Sequence, residues 1–267
     1  MRAGRPFSVC SDGKTRYLGQ CGYTDPSHAL PVYPQDVEET LRRACRYAVY
    51  SVEEELASGF LSLPGGHRLG IAGTCVLRDG KPVGVRDVSA LNLRVAREWR
   101  GAADGQMPYL LQNGQAKSAL VISPPGCGKT TFLRDAARQL SEAGIRVCVV
   151  DSREEIGAVC HGVPGFDLGP CCDVLSRYPK NAGIEIALRT LRPEVIVFDE
   201  LGSEDQAVSE GLNCGVSFLF SAHANDLDDV RRRPLLAEML KTGKLKTVIL
   251  LDRNHRARCL CKTEEPV

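Results

Sequence analysis

The chain has 267 residues, enough for one large domain or two ordinary ones, and its 34 basic and 33 acidic residues leave a formal charge of +1. That balance excludes a global field aimed at nucleic acid or at an anionic membrane, so partners must be argued from sites. No apolar run approaches the roughly 18 to 20 residues that span a bilayer, and the start MRAGRPFSVC lacks the apolar core of a secretory signal, which predicts a cytoplasmic protein without direct membrane insertion.

Twelve cysteines are dispersed through the chain. With no export signal they are expected as reduced thiols, and neither Cys171-Cys172 nor Cys259-x-Cys261 has the paired C-x-x-C spacing that wraps zinc.

In chain order, residues 34–60 place Val37, Leu41, Ala44, Cys45, Ala48, Val52 and Leu56 at three- and four-residue spacings before Gly59. That pattern predicts one long amphipathic helix. Residues 67–97 alternate around Asp79-Gly80, a hairpin turn signal, and are expected as successive β-strands. A stretch rich in Gly, Asp, Asn and Gln near residues 100–115 marks a seam, giving an N-terminal α+β domain over 1–105 and a second domain over 106–267. Downstream the pattern predicts strand 118–123, helix 129–142 stopped by Gly144, strand 145–151, helix 181–191, strand 194–199, helix 203–212 and strand 215–221. This alternation indicates an α/β fold with a parallel sheet covered by helices. The chain ends in an expected hairpin, KTVILLD and RARCLCK joined by RNH.

The chemistry-bearing motif is VISPPGCGKTTFLRD, residues 121–135. Gly126 and Gly128 leave the backbone able to curl with its N–H groups inward, and the helix that follows adds its positive end, which makes an anion nest. The cradle comprises Pro125, Gly126, Cys127, Gly128, Lys129, Thr130 and Thr131. Lys129 would neutralise β/γ phosphates and the Thr130 hydroxyl would take a Mg2+ position. Ser123 stands where the phosphate-loop pattern begins with glycine, a turn position that does not touch phosphate. Some 70 residues on, the apolar strand EVIVFDEL ends in Asp199, placed to hold magnesium through a water, and Glu200, placed to polarise an attacking water. VCVVDSREEIG ends another strand in Asp151, Glu154 and Glu155, which either hold magnesium-bound water or are solvated. VSFLFSAHAND brings His223 to a strand end, as a γ-phosphate sensor or as a surface turn residue.

SPPGCGKTT, the acid-rich segment VDSREEIGAVCHGVPGFDLGP, VIVFDELG and SAHA, with NLRVARE upstream, closely resemble the stage III sporulation protein AA family of endospore-forming Firmicutes. That family resembles the type II/IV secretion ATPases, which are ring-shaped, usually hexameric P-loop motors with an N-terminal α/β domain and a RecA-like domain. The resemblance implies an ATPase that uses ATP and Mg2+, works on the mother-cell side, and acts with membrane proteins of a sporulation channel complex. It places Asp151 and Glu154 in the aspartate box, Asp199-Glu200 in Walker B and His223 in the histidine box. It further implies arginines that reach the phosphates from the N-terminal domain or a neighbouring subunit, here Arg94 and Arg97, with Arg189 a third. In the family MRAGRP lies well inside the N-terminal domain, so a preceding helical segment is expected to be absent here or Met1 to be misassigned.

Two other functions fit the chemistry: a general type II/IV secretion or pilus ATPase, and a nucleotide-gated scaffold without turnover. The first often carries a four-cysteine zinc module whose spacing is missing, and the second needs no Glu200. A nucleic-acid motor is disfavoured because VRRRP is the only concentrated basic run and aromatic residues make up 6% of the chain.

Overall fold

The computed structural model of the chain describes residues 1–45, 53–202 and 205–262. Two compact units are formed, Met1–Ala96 and Arg97–Val267.

In the first unit β1 (Arg5–Pro6) pairs with β5 (Pro31–Val32), and β2 (Ser8–Ser11), β3 (Lys14–Gly19) and β4 (Gly22–Thr24) form a meander. Helix α1 (Pro34–Ala44) starts with proline at its first position, and Asp36 closes the first turn by accepting the Tyr33 N–H at 2.8 Å. Of the long helix expected over 34–60, residues 46–52 lie outside the described residues, and α2 (Glu53–Ala57) follows them. Val37, Cys45 and Leu56 are buried with Leu61, Leu69 and Leu91. Strands β6 (Phe60–Leu63), β7 (His67–Arg78) and β8 (Lys81–Arg94) make the antiparallel sheet that the alternating pattern predicts. Asp79 and Gly80 both have positive φ, 52° and 75°, as a tight hairpin turn of this kind requires. Asp12 and Gly13 repeat that geometry between β2 and β3, at φ 54° and 73°.

In the second unit, α3 (Met107–Leu110) and the short pair β9 (Leu111–Gln112) and β10 (Gln115–Ala116) lead into β11 (Ala119–Ile122). Residues 97–105 pack within this unit: Asp135 accepts the Ala103 N–H at 2.9 Å. Then come α4 (Lys129–Glu142), β12 (Val147–Asp151), β13 (Cys172–Ser176), α5 (Lys180–Ile186), β14 (Val195–Phe198), α6 (Asp205–Asn213) and β15 (Ser217–Ala222). The unit closes with α7 (Leu227–Arg231), α8 (Pro234–Lys241), β16 (Thr247–Leu251) and β17 (Ala257–Lys262). The helix expected over 181–191 is α5 followed by one π-helical turn, Ala187–Leu191, and β13 is a strand that the Gly/Pro-rich sequence around it does not announce.

Seven strands form one sheet in the order β13-β12-β14-β15-β11-β16-β17, all parallel except the terminal hairpin β16–β17. Alternate residues feed the two faces. Val147, Val149, Val195 and Val197 join α4 in one core, while Cys148, Val150, Ile196 and Phe198 join α5, α6 and α8 in the other. Burial on both faces is why these strands read as continuous apolar runs. Phe198 and Phe220 stack at 5.3 Å between adjacent strands, which fixes β14 level with β15. Ile122 of β11 is likewise level with Ala222 of β15, so the segments after β11, β14 and β15 emerge at one edge.

Candidate active site

The loop after β11 turns through Gly126 (φ 78°) and Gly128 (φ 93°) into the N-terminus of α4, a 14-residue helix whose first residue is Lys129. Phe132, Leu133, Ala136, Ala137 and Leu140, spaced by three and four, anchor that helix in the core. At Gly128 a Cβ would meet His255 Nδ1 at 3.2 Å, and the positive φ disfavours any side chain there. Lys129 is 8% exposed, and its Nζ lies 3.3 Å from the Ser123 carbonyl, 3.4 Å from Ser123 Oγ and 3.1 Å from His223 Nδ1. Burial pushes the ammonium below the usual lysine value, opposed by Asp199, Cys127 and Glu200. Ser123 therefore does more than tolerate a turn: its carbonyl and hydroxyl both hold the lysine.

Asp199 follows β14 directly. Thr130 Oγ1 donates to Asp199 Oδ2 at 2.6 Å, and the Ser221 hydroxyl of β15 donates to the other oxygen. Among the described residues no group of three or more His, Cys, Asp and Glu side chains is placed to hold a metal by itself. The hydroxyl–carboxylate pair at the phosphate cradle suits Mg2+, which takes one or two protein oxygens and fills its remaining positions with substrate phosphates and water. Glu200 is in the left-handed region (φ 57°), with its N–H donating to Ser221 Oγ at 2.9 Å and its carbonyl accepting from Lys180 Nζ. A non-glycine residue held there costs on the order of 1–3 kcal/mol, supplied by the surrounding contacts. The Glu200 carboxylate lies 3.4 Å from His223 Nε2 and 3.0 Å from an Arg153 nitrogen.

The third acidic segment has a different employment. Asp151 is 3% exposed, and its two oxygens accept the N–H groups of Glu155, Ile156, Gly157 and Ala158 at 2.8–3.3 Å. Arg134 of α4 secures the same loop by donating to the carbonyls of Ile156 and Glu155 at 2.8 and 2.5 Å, with its guanidinium 3.5 Å from the Phe166 ring centre. Glu154 pairs with Arg177 at 3.0 Å and accepts from the Ser176 hydroxyl. The carboxylate of Asp151 thus fastens the loop after β12, a commitment its sequence context does not reveal.

Arg94, at the end of β8, and Arg97 are exposed. Arg189 sits on the π-helical turn, 78% exposed and 3.8 Å from Glu185. The chain segment that starts at Lys180 beside Glu200 ends at Arg192, whose carbonyl accepts from Arg146 just before β12. Arg189 therefore lies toward the opposite end of the sheet from its own chain's phosphate cradle. The sequence does not single out Ser221, Arg153 or Lys180, nor a cavity of about 530 Å³ beside the cradle. Its lining includes Trp99, Cys127, Gly128, Thr131, Phe132 and His255, and His255 Nδ1 lies 3.0 Å from the Cys127 carbonyl. Asp252 and Arg253 before His255 form the tip of the terminal hairpin, whose proximity to the cradle follows from β16 pairing with β11.

In the described residues no helix is long and apolar enough to cross a membrane. The fold is that of RecA-like P-loop ATPases: the Legionella pneumophila ATPase DotB superposes with a TM-score of 0.58 at 15% identity, over 97% of this chain and 74% of DotB. The pilus retraction motor PilT, solved with bound ADP, superposes with a TM-score of 0.56 at 16% identity, over 94% of this chain and 72% of PilT. In sequence, stage III sporulation protein AA of Bacillus subtilis (strain 168) is 36% identical over 261 residues, 95% of this chain and 81% of that protein. Residues 1–260 match the family described as sporulation stage III, protein AA, and the chain belongs to that family.

Proposed function

We propose that this chain is an ATP hydrolase whose turnover drives a sporulation-specific, secretion-like channel complex. The observation that carries the reading is the bridge from Thr130 to Asp199 at 2.6 Å, with Lys129 on one side of it and Glu200 on the other. Lys129 and the backbone N–H groups of the cradle bind and orient the phosphates, and the following helix end favours their charge. Thr130 and Asp199 would hold Mg2+, which when bound offsets charge developing on the phosphates. Glu200 accepts a proton from the attacking water, giving ADP and phosphate. His223, between Lys129 and Glu200, would register the γ-phosphate. The test is phosphate release by the purified chain from ATP with magnesium; absence of release above that of the Lys129→Ala protein would overturn hydrolysis.

The cavity beside Gly128 suits a nucleobase, with Trp99 and His255 among its lining as rings on which a base would stack. Trp99 is the chain's single tryptophan. Titration with ATP is therefore expected to change its fluorescence, with the same midpoint as calorimetric binding. An unchanged emission alongside measured binding would place the base elsewhere.

The family and the neighbouring fold support a ring, proposed as a hexamer, attached to membrane proteins of the channel on the mother-cell side. Arg94, Arg97 or Arg189 would then complete a neighbour's site, since a guanidinium fork stays charged and grips phosphate oxygens in pairs. Subunits carrying Arg97→Ala and subunits carrying Lys129→Ala, each inactive alone, should regain turnover when mixed, because some junctions pair an intact cradle with an intact arginine. The same mixture with Arg94→Ala or Arg189→Ala identifies which arginine acts. Silence from all three in a demonstrably mixed oligomer would mean that none of these arginines acts across a junction.

A further inference from the structure

The side chains around the phosphate cradle form a continuous chain of polar contacts. Arg153 contacts one oxygen of Glu200 at 3.0 Å, the other oxygen lies 3.4 Å from His223 Nε2, and His223 Nδ1 lies 3.1 Å from Lys129 Nζ. The cation that would grip a phosphate and the carboxylate that would activate water are therefore tied to one another through His223. A phosphate bound by Lys129 would compete with His223 for the ammonium donors and so unlink one end of the chain. At the other end stands Arg153, on a loop whose position is set by Asp151 and Arg134. Only the side chain of Glu200 can respond, because its backbone N–H is held by Ser221 and its carbonyl by Lys180. The Arg153 side chain is 63% exposed and that of Glu200 33%, so exchanging partners requires little desolvation of either.

Resting on the ATPase reading above, we propose that Arg153 is a positioning residue that holds Glu200 while the γ-phosphate position is empty and turns to the γ-phosphate when ATP arrives, so that the site distinguishes triphosphate from diphosphate. Two electrostatic facts set the direction. A guanidinium placed between a carboxylate and an incoming phosphate is drawn to the phosphate, which carries more charge and presents more acceptor oxygens. A carboxylate relieved of its arginine is left to accept a proton from water. The diphosphate fills the cradle but leaves the Arg153–Glu200 pair closed. The arginine acts within its own chain, so the device needs no neighbouring subunit.

The experiment compares calorimetric affinities for ADP and for a non-hydrolysable ATP analogue, both with magnesium, in the natural protein and in Arg153→Ala and Arg153→Lys. Arg153→Ala is expected to weaken the triphosphate analogue by roughly tenfold, the scale of one charge-assisted hydrogen bond, while ADP affinity stays within about twofold. Arg153→Lys, which keeps the charge without the fork, should recover part of the difference. Equal changes for both nucleotides, or none, would overturn the role of Arg153 and leave the ATPase reading standing. Binding of neither nucleotide by the natural protein would overturn both. Arg153→Gln decides the matter if the alanine protein fails to fold, as judged by circular dichroism.

Discussion

Replacing Lys129 with alanine is expected to lower ATP affinity by on the order of 10²-fold or more, with the fold retained. Lys129 is 8% exposed and its ammonium is already held by Ser123 and His223, so it needs little ordering to meet a phosphate. Its burial makes the bare charge unfavourable, as its lowered pKa records, and an anion in the cradle relieves that penalty. Two charge-assisted contacts to phosphate at about 1.5–3 kcal/mol each account for the expected loss. Alanine leaves room at the start of a helix anchored by Phe132 and Leu133, which are fully buried, so circular dichroism should be unchanged. Calorimetry checks the affinity, and ATP binding as tight as that of the natural protein would remove Lys129 from the phosphates.

Glu200→Gln should separate binding from chemistry. The amide keeps the size of the side chain and cannot take the proton of an attacking water, so turnover is expected to fall by roughly 10²-fold or more while ATP affinity stays within a few-fold. Neither the Thr130–Asp199 bridge nor the backbone bonds from Glu200 to Ser221 and Lys180 involve the Glu200 carboxylate, so that bridge and the left-handed turn are left intact. A steady-state phosphate assay beside a binding isotherm makes the measurement. Hydrolysis at the natural rate would show that another group activates the water, and lost binding would show that Glu200 supports the cradle itself.

The amino-acid sequence alone determines the local parts of this protein. The cradle from Pro125 to Thr131 is one contiguous turn and helix start, and its glycines, lysine and threonine are legible because each acts within a few residues of its neighbours. Asp79-Gly80 sets its hairpin by turn geometry, and the apolar runs ending at Asp151, Asp199 and Ala222 announce strands buried on both faces. The same turn signal stands at Asp12-Gly13, but the short flanking strands offer too little alternation to announce a hairpin.

What only the tertiary structure decides is which distant residues meet. Thr130 and Asp199 are 69 positions apart, and Lys129 and His223 are 94 apart. Their contacts depend on β15 lying between β14 and β11, an order set by the packing of whole helices on the sheet rather than by any local pattern. That order brings Ser221 onto Asp199 and, through the pairing of β16 with β11, His255 beside Gly128. It also separates like from like. Asp151 and Asp199 both end apolar strands, yet Asp151 accepts from four N–H groups of its own loop, whereas Asp199 accepts from two hydroxyls. Local spacing places a carboxylate at a sheet edge, but its chemistry belongs to whichever donors the fold sets opposite it, because a buried charge takes the hydrogen bonds within reach.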